Sequence, residues 1–416
     1  MIKKQLWLLL VAMLLSLSPP VTATTLTFNS LDEVIHYGVQ HSPQLKAQRL
    51  QWESSKSLPK KLGSLSDPML GVRLNGTPAK NSAYTVDQKR YLLKQSFPFW
   101  GELAHLKELG DSKVTIAYLE FLLTQNKIVF SIESLVYKLL LNDELTDITK
   151  KNKAILTQLA NIADVKYQAG LGLQANVLKA QVSKGKLDEE LLSLNHQRLV
   201  LVEQLKKMLN VPPTTNIRFA IEEPTVLNDR LPTPNQDWTN KSLVVQKADA
   251  MKSSKQSAVQ VEKDRYKPNF SAQVEVWDNS GMDNQYGGQI MMTVPWFNVK
   301  NSASLTEAEK QFESSQNSLQ DSTNSIRSML VSLVSDITTT HKKILLYEKQ
   351  LLKDAKLSLS NFQKSYEVDK ASFIDYFEAE QTVFQLEKKH AILKNRYSTQ
   401  LSALKWQFEK GELPNE

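Results

Sequence analysis

The chain carries one stretch of sequence twice. Tyr167 to Leu205 can be laid on Tyr366 to Leu404 at a constant offset and without a gap. Tyr167 falls on Tyr366, Asn176 on Asp375, Leu178 on Phe377, Ala180 on Ala379, Leu187 on Leu386, Leu194 on Leu393 and Leu205 on Leu404. Upstream, Phe97-Pro98-Phe99-Trp100 answers Val294-Pro295-Trp296-Phe297, and Pro68 answers Pro268. Duplication on this scale means one structural unit built twice, so function is expected in what the two copies enclose.

Each copy contains a long segment without helix punctuation. Neither glycine nor proline occurs between Asp111 and Ala169, or between Trp296 and Lys410. Since these residues are the strongest breakers of helices, such stretches predict helices far longer than the usual 11 or so residues. The second is long enough to fold back on itself, and the turn is expected near Tyr366 to Lys370. Leu187, Leu191, Leu194, Arg198, Leu201, Leu205 and Met208 recur at steps of four and three, as do Ala379, Val383, Leu386, His390, Leu393 and Tyr397. That repeat fits a left-handed coiled-coil seam or the core of an ordinary bundle; both require helical neighbours along the whole length.

A second period interrupts the helices. Phe270, Ala272, Val274 and Val276 alternate with Ser271, Gln273, Glu275 and Trp277, the pattern of a strand with one apolar face. A polar stretch from Asp278 to Gly288 and a further run, Gln289 to Val294, complete a hairpin. In the first copy Leu70, Val72 and Leu74 alternate with Gly71, Arg73 and Asn75; Tyr91, Leu93 and Phe97 follow after a loop containing Gly76-Thr77-Pro78. Four strands are too few to close a roomy barrel, and an open sheet exposes edges. Strands from several copies in one membrane barrel, apolar outside and polar inside, would remove those edges. A soluble hairpin packed on a helix fits the same alternation.

Lys3 and Lys4 precede an apolar run from Leu6 to Leu17, then Pro19-Pro20 and Val21-Thr22-Ala23, the layout of a secretory signal peptide with the mature chain expected to begin near Thr24. No later stretch approaches the roughly 18 consecutive apolar residues of a membrane helix. There are no cysteines, which excludes disulfides and thiol chemistry. The formal net charge of +7 includes the two signal lysines, and no basic cluster argues for nucleic acid.

The export signal, duplicated halves and two hairpins come together with the motif Tyr167-Gln168-Ala169-Gly170 leading to Asn176-Val177-Leu178-Lys179-Ala180-Gln181. In this the chain resembles the outer-membrane efflux proteins, the TolC-like channels. The second motif, Tyr366 to Glu380 through Asp375 and Ala379, is similar, with Asp369 where glycine is usual.

The resemblance implies a mainly α protein with a membrane β-barrel: a homotrimer whose twelve strands form one outer-membrane barrel and whose helices form a periplasmic tunnel. It implies a Gram-negative outer-membrane location, contact with outer-membrane lipid, a periplasmic adaptor, a proton-driven inner-membrane transporter, no cofactor and no catalysis. The corresponding organisation is a signal peptide over 1–23 and a first repeat over 24–210 with its hairpin at about 68–97. A proline-rich equatorial segment over 211–242 follows, containing Val211-Pro212-Pro213, Pro224, Pro232 and Pro234. The second repeat spans 243–410 with its hairpin at about 268–295, and a tail covers 411–416.

Four site residues follow from the same resemblance. Asp375 and Glu378, three apart and so on one helix face, match the periplasmic aperture, where threefold repetition would make a ring of carboxylates. Read alone, they are equally ordinary solvated helix acids, as are Glu378 and Glu380. Tyr366 matches a latch tyrosine whose partner position is Asn176, a pairing that a neutral hydrogen bond can make. An arginine latch has no counterpart: its position is Ala371, facing Ala175, which leaves Lys370 or another device to hold the closed state. Tyr167 and Tyr366 also fit simple packing at a helix turn.

Asp67-Pro68-Met69-Leu70-Gly71 and Gln95-Ser96-Phe97-Pro98-Phe99-Trp100-Gly101 are closer to the heavy-metal branch of the family than to its drug or protein-secretion branches. No dedicated metal site is expected: six histidines are scattered, and Met291-Met292 lies in an alternating strand where neighbours point to opposite faces. Gly-x-Ser-x-Gly, His-Glu-x-x-His and phosphate-binding glycine loops are all missing from the sequence, so no enzyme class is indicated. The rival readings are a periplasmic coiled-coil adaptor and a scaffold without a channel.

Overall fold

A computed structural model describes residues 25–78, 84–220, 236–279, 283–296 and 298–408. The expected signal peptide, Pro224, Pro232, Pro234, Phe297 and the tail 411–416 lie outside these residues. In chain order the elements are β1 (Thr25–Phe28), α1 (Leu31–His41), α2 (Pro43–Ser55), α3 (Leu58–Leu62), β2 (Met69–Pro78) and β3 (Tyr84–Phe97). Then come α4 (Glu102–Gln168), α5 (Gln174–Leu209), β4 (Asn216–Phe219), α6 (Gln236–Lys241) and α7 (Leu243–Asp264). The second hairpin, β5 (Phe270–Asn279) and β6 (Gln285–Met292), leads into α8 (Val299–Leu346), a π-helical turn (Tyr347–Leu351), α9 (Leu352–Glu367) and α10 (Phe373–Phe408). Among the described residues no helix is long and apolar enough to cross a membrane.

The chain divides into two compact units, each drawing on both repeats: Met1–Pro43, Ile128–Leu231 and Ser335–Ala403 in one, Gln44–Lys127, Pro232–Val334 and Leu404–Glu416 in the other.

The second of these units contains the sheet, ordered β2-β3-β5-β6 and antiparallel throughout. The two hairpins are therefore side by side, and β2 and β6 are its open edges. Register puts Leu70, Leu93 and Val274 in one row and Val72, Tyr91 and Val276 in the next, on the same face as Phe97, Phe270, Ile290 and Met292. This face is bare: Leu70 and Ile290 are each 82% exposed, and Val72, Leu74, Leu93 and Val274 are also exposed. The other face carries Arg73, Arg90, Lys94, Gln273, Glu275 and Gln289. Met291 and Met292 fall on opposite faces, as the alternation requires.

Gly76-Thr77-Pro78, expected as a loop, instead continues β2 and pairs with Val86, Thr85 and Tyr84 beyond an irregularity after Asn75. A bulge absorbs the extra residue and lets pairing run on through turn-prone residues. At the base of the sheet Asp264, almost fully buried, accepts from His105 Nδ1 at 2.6 Å and Lys267 Nζ at 2.7 Å, while Asn269 Oδ1 accepts from the Phe99 amide at 3.1 Å. Gly110 lets α4 approach α3: a Cβ there would stand 2.7 Å from Pro59 Cα.

In the other unit the first-copy seam holds at Leu187, Leu194, Leu201 and Leu205, while Leu191 and Met208 are half-buried and Arg198 is exposed. Ala180, Leu187, Leu194 and Leu201 are buried at steps of seven, with Leu205 and Leu209 following. The second-copy seam holds in part: Val383 and Tyr397 are buried where expected. Phe377, Phe384 and Ala391 take the buried seven-residue spacing, while Leu386, His390 and Leu393 are half-buried. The bulk of the aromatic rings turns that edge of α10 inward. The unbroken helix expected after Trp296 holds a π turn at Tyr347–Leu351, and β1 pairs in parallel with β4, which the short runs around Thr25 and Asn216 did not signal.

Candidate functional site

The two copies of the repeat motif end in two helix turns built alike. The first joins α4 to α5, the second α9 to α10. In the first, Gly170 has φ 74° and its amide reaches Tyr167 O at 3.0 Å, with Leu171 N on Lys166 O at 2.8 Å. In the second, Asp369 has φ 57°, its amide reaches Tyr366 O at 3.3 Å, and Lys370 N bonds Ser365 O at 2.8 Å. The left-handed residue that ends a helix is usually glycine, with asparagine and aspartate the tolerated exceptions. Asp369 is such an exception, so departure from the motif in sequence leaves the turn geometry intact.

A single lysine ties the turns together. Lys166 Nζ donates to the Tyr366 carbonyl at 2.8 Å and to Asp369 Oδ1 at 2.5 Å, and lies 4.1 Å from the centre of the Tyr366 ring. Tyr366 itself is buried, 6.3 Å from the Phe373 ring and 5.8 Å from that of Tyr376. Burial pushes its hydroxyl pKa up, and Asp369 adds to this while Lys166 opposes it. Asn176 is half-buried in the first turn of α5, where its amide bonds Leu173 O at 3.0 Å. Among the described residues Asn176 and Tyr366 share no hydrogen bond. Lys370, the other candidate for the arginine role, is exposed.

Asp375 and Glu378 are both exposed on one side of α10, opposite buried Phe373, Tyr376, Phe377 and Glu380. Asp375 also closes a capping box. The Ser372 hydroxyl donates to Asp375 Oδ2 at 2.7 Å, the Ser372 amide to the same oxygen at 3.0 Å, and Ser372 Oγ accepts from the Asp375 amide at 3.2 Å. The two bonds from Ser372 hold the Asp375 carboxyl below its ordinary range, hydroxyl first.

Glu380, read from sequence as a solvated helix acid, is only 2% exposed. Its Oε1 accepts from Asn152 Nδ2 at 2.7 Å. Desolvation raises its pKa and Glu387 adds to the rise, against the lowering bond from Asn152. The missed signal is its spacing: it stands three and four residues from Phe377, Tyr376 and Phe384, on the face those rings bury.

The fold combines duplicated helical hairpins with matched turns and a sheet that is apolar on one face and polar on the other. Solved structures share it. The channel protein CusC superposes with a TM-score of 0.82 at 13% identity, covering 95% of this chain and 96% of that one. VceC, an outer-membrane protein of Vibrio cholerae, gives 0.76 at 16% identity over 92% and 96%. The open state of the outer-membrane channel MtrE of Neisseria gonorrhoeae gives 0.77 at 12% identity over 92% and 89%. No protein-family model matches the sequence, and no curated protein matches it. The chain has the fold of these outer-membrane channels, and the TolC-like resemblance read from its repeats holds at the level of fold.

Proposed function

We propose that the chain is one subunit of a trimeric outer-membrane channel that serves as the passive exit duct of a tripartite efflux pump. The observation that carries this is the two-faced sheet with unpaired edges. Its apolar face matches a lipid environment and its polar face a water-filled lumen. Three copies of the four strands would close one barrel and remove every edge. In this reading the protein is exported to the outer membrane of a Gram-negative cell, catalyses nothing, and works with a periplasmic adaptor and a proton-driven inner-membrane transporter. Asp375 and Glu378 ring the periplasmic aperture, and the turn that carries Tyr366, with Asn176 across from it, is the latch. Lys166 supports the same assignment, because it supplies the cation that Ala371 cannot.

Planar-bilayer recording tests the proposal. Detergent-extracted trimers should give discrete conductance steps, and Asp375→Ala with Glu378→Ala should reduce cation preference. A protein that stays monomeric in plain buffer and forms no channel would overturn it in favour of the adaptor or scaffold reading.

The finer assignment, export of heavy-metal cations, rests on the segments flanking the first hairpin, Asp67 to Gly71 and Gln95 to Gly101. Deleting the protein should then lower metal tolerance. Unchanged tolerance with increased drug sensitivity would remove metals from the proposal.

A further inference from the structure

The balance of charge differs between the two faces of the sheet. The charged residues of the described strand segments are Arg73, Lys89, Arg90, Lys94, Glu275 and Asp278, apart from those of 76–87. Lys89 and Asp278 are register partners of opposite sign. The remaining four are on the polar face.

There the one acid is already engaged. Glu275 accepts from the Gln273 amide and lies 3.3 Å from Arg90 Nη1, so it neutralises Arg90 locally. The Arg90 guanidinium is 5.1 Å from the centre of the Trp277 ring. That ring covers Gly287 so closely that a Cβ at 287 would fall 2.2 Å from it. Trp277 is thus held flat against the sheet and backs the guanidinium. Arg73 and Lys94 have no acidic partner among the described residues, and Arg73 is exposed.

Building on the channel reading above, we infer that this face forms a cationic band inside the barrel that favours anionic solutes, with Arg73 and Lys94 as its determinants. Among the described residues of this face each copy contributes three cations and one acid, so closing the barrel brings their excess positive charge around one water column. Low-dielectric walls strengthen such a field and raise the local concentration of oppositely charged solutes. A bare metal cation would meet an unfavourable field in this part of the duct.

The chain has no cysteine of its own, so Gln289→Cys gives a unique reporter on the polar face. Gln289 pairs with Gln273, which pairs with Lys94, two strands away at about 4.8 Å per strand and therefore within a Debye length of about 10 Å at 0.1 M salt. The full chain carrying Gln289→Cys, reconstituted in bilayers, is treated with sulfonatoethyl and trimethylammonioethyl methanethiosulfonates at low ionic strength. Relative to a free thiol, the anionic reagent should react roughly tenfold faster. Adding Arg73→Gln and Lys94→Gln should bring the ratio back towards that of the free thiol, each single variant giving an intermediate value. A ratio at or below that of the free thiol, or one untouched by these variants, overturns the inference while conductance steps persist. Absence of conductance from the parent protein overturns the channel reading, and the band with it.

Discussion

Lys166 Nζ is 2.5 Å from Asp369 Oδ1, an ion pair between the end of the first repeat's long helix and the turn of the second. Removing this ammonium also frees the Tyr366 carbonyl and uncovers the Tyr366 ring. The carboxylate is 71% exposed, so the ion pair alone is worth under about 1 kcal/mol, and the charged bond to the carbonyl about 1.5–3 kcal/mol. Lys166→Met should lower thermal stability in detergent accordingly and, if the proposed channel forms, lengthen its open dwell times. Wild-type values in both measurements would show that the clamp holds nothing.

Backbone conformation separates the two turns' substitutions. Nothing lies within 4 Å of a Cβ built at Gly170, so Gly170→Ala should cost only the left-handed backbone penalty, about 1–2 kcal/mol. Asp369→Ala exchanges one residue with a Cβ for another at the same left-handed angle, so it should cost chiefly the Lys166 contact. Asp369→Gly relaxes the backbone but forfeits the ion pair, leaving it the mildest of the three. Chemical unfolding midpoints read the order directly.

Glu380 makes stability fall as pH rises. Its folded pKa is raised, so the folded state binds its proton more tightly than the unfolded state between the ordinary value of 4.5 and the raised one. Across that window deprotonation destabilises the fold, and above it the penalty is complete. Glu380→Gln, which keeps an acceptor for Asn152, should be more stable than wild type at neutral pH and indistinguishable from it well below pH 4.5. Melting temperatures across pH would expose a mistaken sign at once.

Asp375 runs the other way. Its carboxyl is held below the ordinary 3.8, so its contribution is present above that value and fades as pH drops through the folded pKa. Ser372→Ala removes the hydroxyl that donates to Asp375 Oδ2 and accepts from the Asp375 amide, and leaves the bond from the residue-372 amide in place. The variant should lose about 1 kcal/mol at neutral pH and return the Asp375 titration, followed by NMR, towards 3.8.

Core substitution provides a size calibration. Phe384 is buried in the cluster with Tyr366, Phe373 and Phe377, and Phe384→Ala should cost about 3–5 kcal/mol, more than any of the surface changes above. Equal losses at Phe384 and at Gly170 would mean that this cluster is loosely packed.

What could be read from sequence was whatever has a period or an unusual composition. The steps of seven through Leu187, Leu194 and Leu201 and the alternation through Phe270, Ala272 and Val274 are local patterns, and both survive folding. The repeat located the turn at Tyr366 to Lys370 because duplication copies geometry along with residues. Pairings between distant residues had no such trace. Lys166 bonds across a separation of 203 residues to Asp369, and a single lysine on a helix full of lysines carries no mark of its partner. Glu380 was hidden by its neighbour Glu378, since two acids two positions apart look alike until burial divides them. Gly76-Thr77-Pro78 misled for the opposite reason: strong turn chemistry was overruled by strand pairing.

The π turn at Tyr347–Leu351 works as a phase shifter. One extra residue in a helical turn advances everything downstream by about 100° about the helix axis. The face that α8 shows to its neighbours is therefore not the face that α9 would show on a regular continuation. Excising one residue from 347–351 would restore a plain helix and rotate α9 by that angle, leaving every residue of the second repeat motif present but aimed the wrong way.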